Sequence, residues 1–187
     1  MTAIISPQSV GIARPLGALE QFFSLIDQHR SVHFAMAAHI EGRTTIPAWR
    51  IALDALQDRH PLLSVGIERN NGYAPYFRTV TNTPIPLRIA ENSDKSSWQI
   101  EIAKELMTSF HPEQAPLARA VLLHGKNESM FILTAHHSIA DGLSLTYAVR
   151  DTIRALSGEV LNTLSLTPQQ ETLVQALQES PNGLRAV

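Results

Sequence analysis

Cysteine is absent from the 187 residues. That removes disulfides, cysteine-ligated zinc, iron–sulfur clusters and a thiol nucleophile together. It also agrees with a reducing compartment, so the cytoplasm is the expected location. An excess of positive charge is missing too: 15 Lys+Arg stand against 17 Asp+Glu, a formal charge of -2. Phosphate neutralisation has no basis in such a balance, and nucleic acid is not an expected partner. No apolar run reaches the roughly 18 residues that a membrane-spanning helix needs. The opening MTAIISPQSVGIARP has no basic stretch followed by a long apolar one, so no signal peptide is expected. What the chain does have is 44% hydrophobic and 17% charged residues, enough to bury a core rather than remain disordered. Its length suits one domain, or one lobe of something larger.

Neither an internal repeat nor a low-complexity block is present. Arg14 to Gln28 reads as a helix with Leu16, Leu19, Phe23 and Ile26 on one face. Val32, Phe34, Met36, Ala38 and Ile40 alternate as in a half-buried strand. Thr45-Ile46-Pro47 starts a helix carrying Ala48, Ile51, Ala52, Ala55 and Leu56, and His60-Pro61 ends it. Leu63 to Glu68 and Tyr73 to Val80 read as strands joined by an Asn70-Asn71-Gly72 turn. Pro84 and Pro86 punctuate an edge-like stretch. Ser97 to Phe110 is a helix by its Ile102, Ala103, Leu106 and Phe110 stripe. Leu117 to Leu123 and Ser129 to Ala135 form a hairpin through Gly125-Lys126-Asn127. Past Asp141-Gly142 comes a helix with Leu145, Ala148, Val149 and Leu156 inward. The tail has a polar loop, a helix starting near Thr167-Pro168, and Pro181-Asn182-Gly183. Mixed strands and helices with an antiparallel hairpin imply an α/β sandwich, not a doubly wound parallel sheet.

The stretch with chemistry in it is Thr134-Ala135-His136-His137-Ser138-Ile139-Ala140-Asp141-Gly142, on a strand-to-helix turn where rigid elements present reactive groups. Neighbouring side chains on an extended strand point to opposite faces. His136 and His137 therefore serve different sides, one at a cleft and the other pinned inside. Asp141, ahead of a glycine able to take positive φ, can fold the loop back. An imidazole titrating near neutrality can accept a proton from a hydroxyl or an amine.

This string resembles the HHxxxDG motif of the chloramphenicol-acetyltransferase-like acyltransferase superfamily. That group includes nonribosomal peptide synthetase condensation domains, BAHD acyltransferases, polyketide-associated ester-forming acyltransferases and alcohol acetyltransferases. Arg14-Pro15-Leu16-Gly17-Ala18-Leu19-Glu20 is similar to the family's opening. Ala55-Leu56-Gln57-Asp58-Arg59-His60-Pro61-Leu62-Leu63 is similar to its RHPLL helix-to-strand junction, and Pro116-Leu117-Ala118-Arg119-Ala120 to the strand before the motif hairpin. The resemblance runs over nearly the whole chain in the family's order.

It implies a single chloramphenicol-acetyltransferase-like lobe, a two-layer α/β sandwich of a mixed, largely antiparallel sheet with helices packed on it. Residues 1–157 would be the N-terminal lobe. Residues 158–187 would be a crossover loop and helix toward a second lobe absent from this chain; nothing here matches that lobe's DFGWG-type motif. By position, His137 would be the general base, His136 structural, and Asp141 an orienting residue paired with an arginine that often lies on the second lobe. Gly142 would leave room for a pantetheine arm. The implied reaction moves an acyl group from a coenzyme A or carrier-protein thioester to an alcohol or amine, in secondary metabolism. Acyl-CoA or a phosphopantetheinyl carrier would be a co-substrate, with no permanently bound cofactor. Possible partners are an acyl carrier protein, a second lobe, or further copies of the chain, as in trimeric one-lobe enzymes of the superfamily. The motif's details look closer to the two-lobed ester-forming branch.

The rival readings are weaker. A metal shared by His137 and Asp141 would lack further ligands, and no HExxH or HxH occurs. Ser138 and Ser144 flank the motif without a GxSxG elbow, and neither a P-loop nor GxGxxG is found. Trp49 and Trp98 read as packing or rim residues, His60 as a structural cap, and Arg43, Arg50, Arg59 and Arg69 as a solvated surface. The alternative to an enzyme is a non-catalytic half-domain that binds an acyl carrier or a partner protein, with an exposed apolar wall that invites association.

Overall fold

The computed structural model describes residues 10–69, 74–91 and 97–179. The Asn70-Asn71-Gly72 turn, the start of the strand at Tyr73, the Pro181-Asn182-Gly183 stretch and most of the opening segment lie outside the described residues. In chain order the elements are β1 (Val10–Pro15), α1 (Ala18–Ile26), β2 (His33–Glu41) and α2 (Ile46–Arg59). A 3-10 turn (Pro61–Ser64) then leads into β3 (Val65–Glu68), β4 (Tyr76–Val80), β5 (Leu87–Ala90) and α3 (Ser97–Met107). The last elements are β6 (Ala118–His124), β7 (Glu128–His136), α4 (Gly142–Leu156) and α5 (Gln170–Glu179).

The strands divide between two sheets, ordered β1-β4-β3 and β2-β7-β6-β5. Every pairing is antiparallel except β5 with β6, so the fold is the mixed, largely antiparallel α/β arrangement expected. Alternation along β7 sorts its side chains between two cores. Phe131, Leu133 and Ala135 join a cluster with Trp49, Leu53, Leu145 and Ala148 of α2 and α4, whereas Ile132 joins Val121, Leu123, Trp98 and Ile102 on the α3 side. Trp49 is fully buried, stacks on Phe131 at 4.9 Å and donates its indole N–H to Thr44 Oγ1 (3.0 Å). A side chain of this kind contributes roughly 1.5–3 kcal/mol by leaving water.

Two elements depart from their sequence patterns. The first helix begins at Ala18, not Arg14, because Val10–Pro15 pairs with β4. Gly17 caps that helix, and Glu20 Oε2 accepts the Gly17 N–H (2.7 Å), the carboxylate half of a capping box. On α3 the buried positions are Ser97, Glu101 and Glu105, while Ala103 and Leu106 of the expected stripe are exposed. The reason is charge pairing: Arg88 reaches both glutamates and Arg119 forks onto Glu105. Glu101 is held below the ordinary carboxylate range chiefly by the Lys104 hydrogen bond, with Arg88 helping against burial. The helix at Thr45-Ile46-Pro47, the hairpin through 125–127 and the α4 face of Leu145, Ala148 and Val149 are as the pattern implied. Among the described residues no helix is long and apolar enough to cross a membrane.

Candidate functional site

The β2–β7 ladder delivers the two histidines. It runs in unbroken register from Glu41↔Glu128 to His33↔His136, and the His137 N–H continues it onto the Val32 carbonyl (3.0 Å). His136 shares the side of Ile132 and Thr134 and is fully buried. Its Nδ1 accepts the Ser138 N–H (3.1 Å), so the neutral ring carries its proton on Nε2, which lies 3.3 Å from Asp27 Oδ2 without hydrogen-bond alignment. Burial pushes the His136 pKa down, against the opposing pull of the Asp27 carboxylate, and keeps the ring neutral. Phe110 meets it edge-on at 6.2 Å. His136 is the pinned histidine.

His137 emerges on the opposite side, half-buried, with Phe23 stacked on it at 4.5 Å and Phe34 tilted against it at 4.4 Å. Its Nδ1 is buried and has no hydrogen-bond partner. That leaves Nε2 as the nitrogen for the space beyond. The space is a cavity of about 350 Å³. Leu19, Glu20 and Phe23 of α1, His60 to Leu63, Asp141 with Ser144, Leu145 and Ala148 of α4, and Leu164, Ser165 and Thr167 wall it together with His137.

Asp141 caps α4: its Oδ1 accepts the Ser144 N–H (2.7 Å) and the Ser144 hydroxyl (2.6 Å). The Ser144 hydroxyl and backbone hydrogen bonds hold the Asp141 carboxyl below its usual range. Among the described residues no arginine forms an ion pair with it. Gly142 opens the helix, and a Cβ there would meet nothing within 4 Å. The four motif residues thus separate into His137 and Asp141 on the cavity wall, Gly142 beside open space, and His136 behind the sheet. Among the described residues no three His, Asp or Glu side chains come together as a metal-holding group.

Sequence reasoning missed a carboxylate hub behind the cavity. Asp151 is 1% exposed and receives Arg59 Nε (2.7 Å), His60 Nε2 (3.0 Å), Arg150 and Arg154. Burial alone would raise the Asp151 carboxyl, but the hydrogen bonds from Arg59, His60, Arg154 and Arg150 outweigh it and hold the group well below the carboxylate range. Arg59 is therefore no solvated surface residue. Arg50 is half-buried and donates to the Ile85 carbonyl, whereas Arg43 and Arg69 are exposed as the pattern implied, Arg69 also donating to the Ser24 carbonyl. His60 is structural, as its place before Pro61 implied. The signal for the hub was an acid inside the apolar stripe of α4, three residues after Ala148, for a buried carboxylate demands partners.

The profile of the family described as "Condensation domain" matches residues 20–181. The chain belongs to the condensation-domain family. It is 29% identical to tyrocidine synthase 3 of Brevibacillus parabrevis over 128 residues, covering 68% of this chain and 2% of that protein. It is 27% identical to surfactin synthase subunit 2 of Bacillus subtilis (strain 168) over 164 residues, covering 84% of this chain and 4% of that protein. Among solved structures, the first condensation domain of the calcium-dependent antibiotic synthetase, in complex with a substrate analogue, superposes with a TM-score of 0.75 at 16% identity, over 91% of this chain and 47% of that one. The condensation domain of the monacolin K polyketide synthase MokA gives 0.72 at 18%, over 91% and 40%. These likenesses establish the fold. The condensation-domain chain thus spans a few per cent of the length of these synthetases and less than half of these solved chains.

Proposed function

We propose that this condensation-domain chain is the histidine-bearing lobe of an acyltransferase, and that His137 is its general base. The supporting observation is the His137 ring itself, clamped between Phe23 and Phe34 at the wall of a 350 Å³ cavity with its Nδ1 sealed off. In this reading Nε2 takes the proton of an acceptor hydroxyl or amine as that group attacks a thioester carbonyl. The new C–O or C–N bond forms, the C–S bond breaks, and the proton passes from the imidazole to the departing thiolate. The donor is an acyl-CoA or an acyl-pantetheinyl carrier protein, which enters as co-substrate. Asp141 orients the loop through its cap on α4, and the open space beside Gly142 gives the pantetheine arm a place to lie. Residues 158–187 are the crossover toward a second lobe.

One observation favours the non-catalytic alternative. Leu19, Phe22 and Leu25 on α1 and Leu173, Val174 and Leu177 on α5 are exposed, an apolar face suited to a second lobe, a partner or another copy. The test uses free-thiol release from acyl-CoA or acyl-carrier thioesters, offered with alcohol and amine acceptors. A chain without cysteine adds no background to that assay. Turnover abolished by His137→Ala, in a variant that melts as the wild type does, supports the enzyme. Carrier binding without turnover in the wild type supports the half-domain instead.

A further inference from the structure

The segment between α4 and α5 takes no regular structure over 159–169, yet it gives Leu164, Ser165 and Thr167 to the cavity wall. Gly158, with φ +90, ends α4 in the left-handed conformation and sends the chain into this strap. A segment without a ladder of its own takes its position from its anchors. Glu159 and Gln169 tie its two ends, to Arg154 and to the Pro15 and Leu16 carbonyls, and two arginines hold the span between. Arg14 forks its Nη1 and Nη2 onto Glu20 (2.7 and 2.6 Å) and gives its Nε to the Thr167 carbonyl (2.7 Å). Arg59 gives its Nε to Asp151 (2.7 Å) and its Nη1 to the Asn162 carbonyl (2.5 Å), while its own carbonyl accepts the Leu164 N–H (2.8 Å).

The same division of labour therefore occurs twice. A carboxylate of the lobe, on α1 or on α4, fixes a planar guanidinium, and one remaining N–H holds a strap carbonyl. Neither arginine side chain is more than 15% exposed, so the guanidinium–carboxylate forks are shielded, while the strap carbonyls they hold face solvent. Lysine cannot replace either residue, because a single ammonium lacks the fork that addresses two acceptors in fixed directions. The anchored carbonyls bracket Leu164 and Ser165, the strap side chains nearest mid-span on the wall.

We propose that Arg14 and Arg59 are positioning residues that fix the strap, set the bore of the cavity beside His137, and thereby select the size of the acyl group it admits. This rests on the acyl-transfer reading above. The test compares wild type with Arg14→Lys and Arg59→Lys in two measurements. One is amide hydrogen exchange at Leu164; the other is the Kd for a series of acyl-CoA thioesters from acetyl to octanoyl. The expected result is Leu164 exchange faster by about tenfold with the β2–β7 amides unchanged, and a dependence of Kd on chain length flattened by about fivefold. Leu164→Ala and Leu164→Trp, which leave both anchors in place, should move the preference toward longer and shorter chains respectively. They carry the test if an arginine variant fails to fold. Unchanged exchange in both arginine variants overturns the clamp. Faster exchange with an unaltered chain-length profile, or Leu164 variants that leave the preference where it was, overturns the selectivity. Wild type that binds none of the series defeats the acyl-transfer reading and the selectivity with it, while the exchange data still judge the clamp alone.

Discussion

His60 and His137 line the same cavity, and their surroundings differ in kind. His60 is tied through Nε2 to Asp151, a carboxylate that also serves three arginines; burial lowers its pKa despite that carboxylate. The Arg59 and His60 bonds at this hub tie the end of α2 to α4 and, through Asn162, to the strap, while Arg150 and Arg154 brace Asp151 within α4. His137 is held by the faces of two phenylalanines, which fix the ring's plane without engaging a nitrogen. The His60 nitrogen that donates to Asp151 has no lone pair to offer, whereas among the described residues no carboxylate engages the His137 ring. Aromatic packing thus orients a base, and a salt-bridge hub immobilises one.

Exchanging the roles of the two sites is the sharpest way to break this contrast. His137→Ala should cut thiol release by about 10²–10⁴-fold, the range for a lost general base, with a melting temperature near that of the wild type. The hub should respond the other way. Asp151→Ala leaves Arg59 and His60 facing an empty carboxylate site, and chemical denaturation should register a loss of about 3 kcal/mol. Equal stability losses in the two variants would erase the distinction.

Acid sharpens it further. The His136 pKa lies below its ordinary 6.5, and that of His60 is lowered too. Between the folded and unfolded pKa values the unfolded chain binds more protons. Their stabilisation is therefore complete above pH 6.5 and drains away as pH falls below it. His136→Gln should flatten that slope by at most about 1.4 kcal/mol per pH unit, as read from denaturation midpoints between pH 7 and 5. The smallest effect belongs to the cap. Asp141→Ala should cost about 1 kcal/mol of thermal stability, whereas Asp141→Asn retains an acceptor for Ser144 and should lose less.

Much of this was legible in the chain. Period-two alternation and the Gly125–Asn127 turn located the hairpin, and the same alternation required His136 and His137 to part company. Thr45 and Pro47 marked the start of α2 through local chemistry alone. What escaped has a common physical origin in long-range pairing. Arg14 looked helical because β4, its strand partner, lies more than sixty residues onward. The buried faces of α3 and α4 carry carboxylates whose arginines arrive from β5, β6 and α2, and no local period reports such a meeting. Phe23 and Phe34 were assigned to a helix face and a strand face, but nothing in their spacing brought them to either side of one imidazole.

The long β2–β7 ladder has a consequence for how tolerant this chain is to insertions. A slip of a single residue anywhere along it would exchange the two sides of the strand, turning the His136 ring toward the cavity and burying its neighbour. The tight bend at 125–127, at the far end of the β6–β7 hairpin from both rings, sets the register of β7 against β6, so an extra residue there that passed into the strand rather than bulging out would change which imidazole meets the outside world.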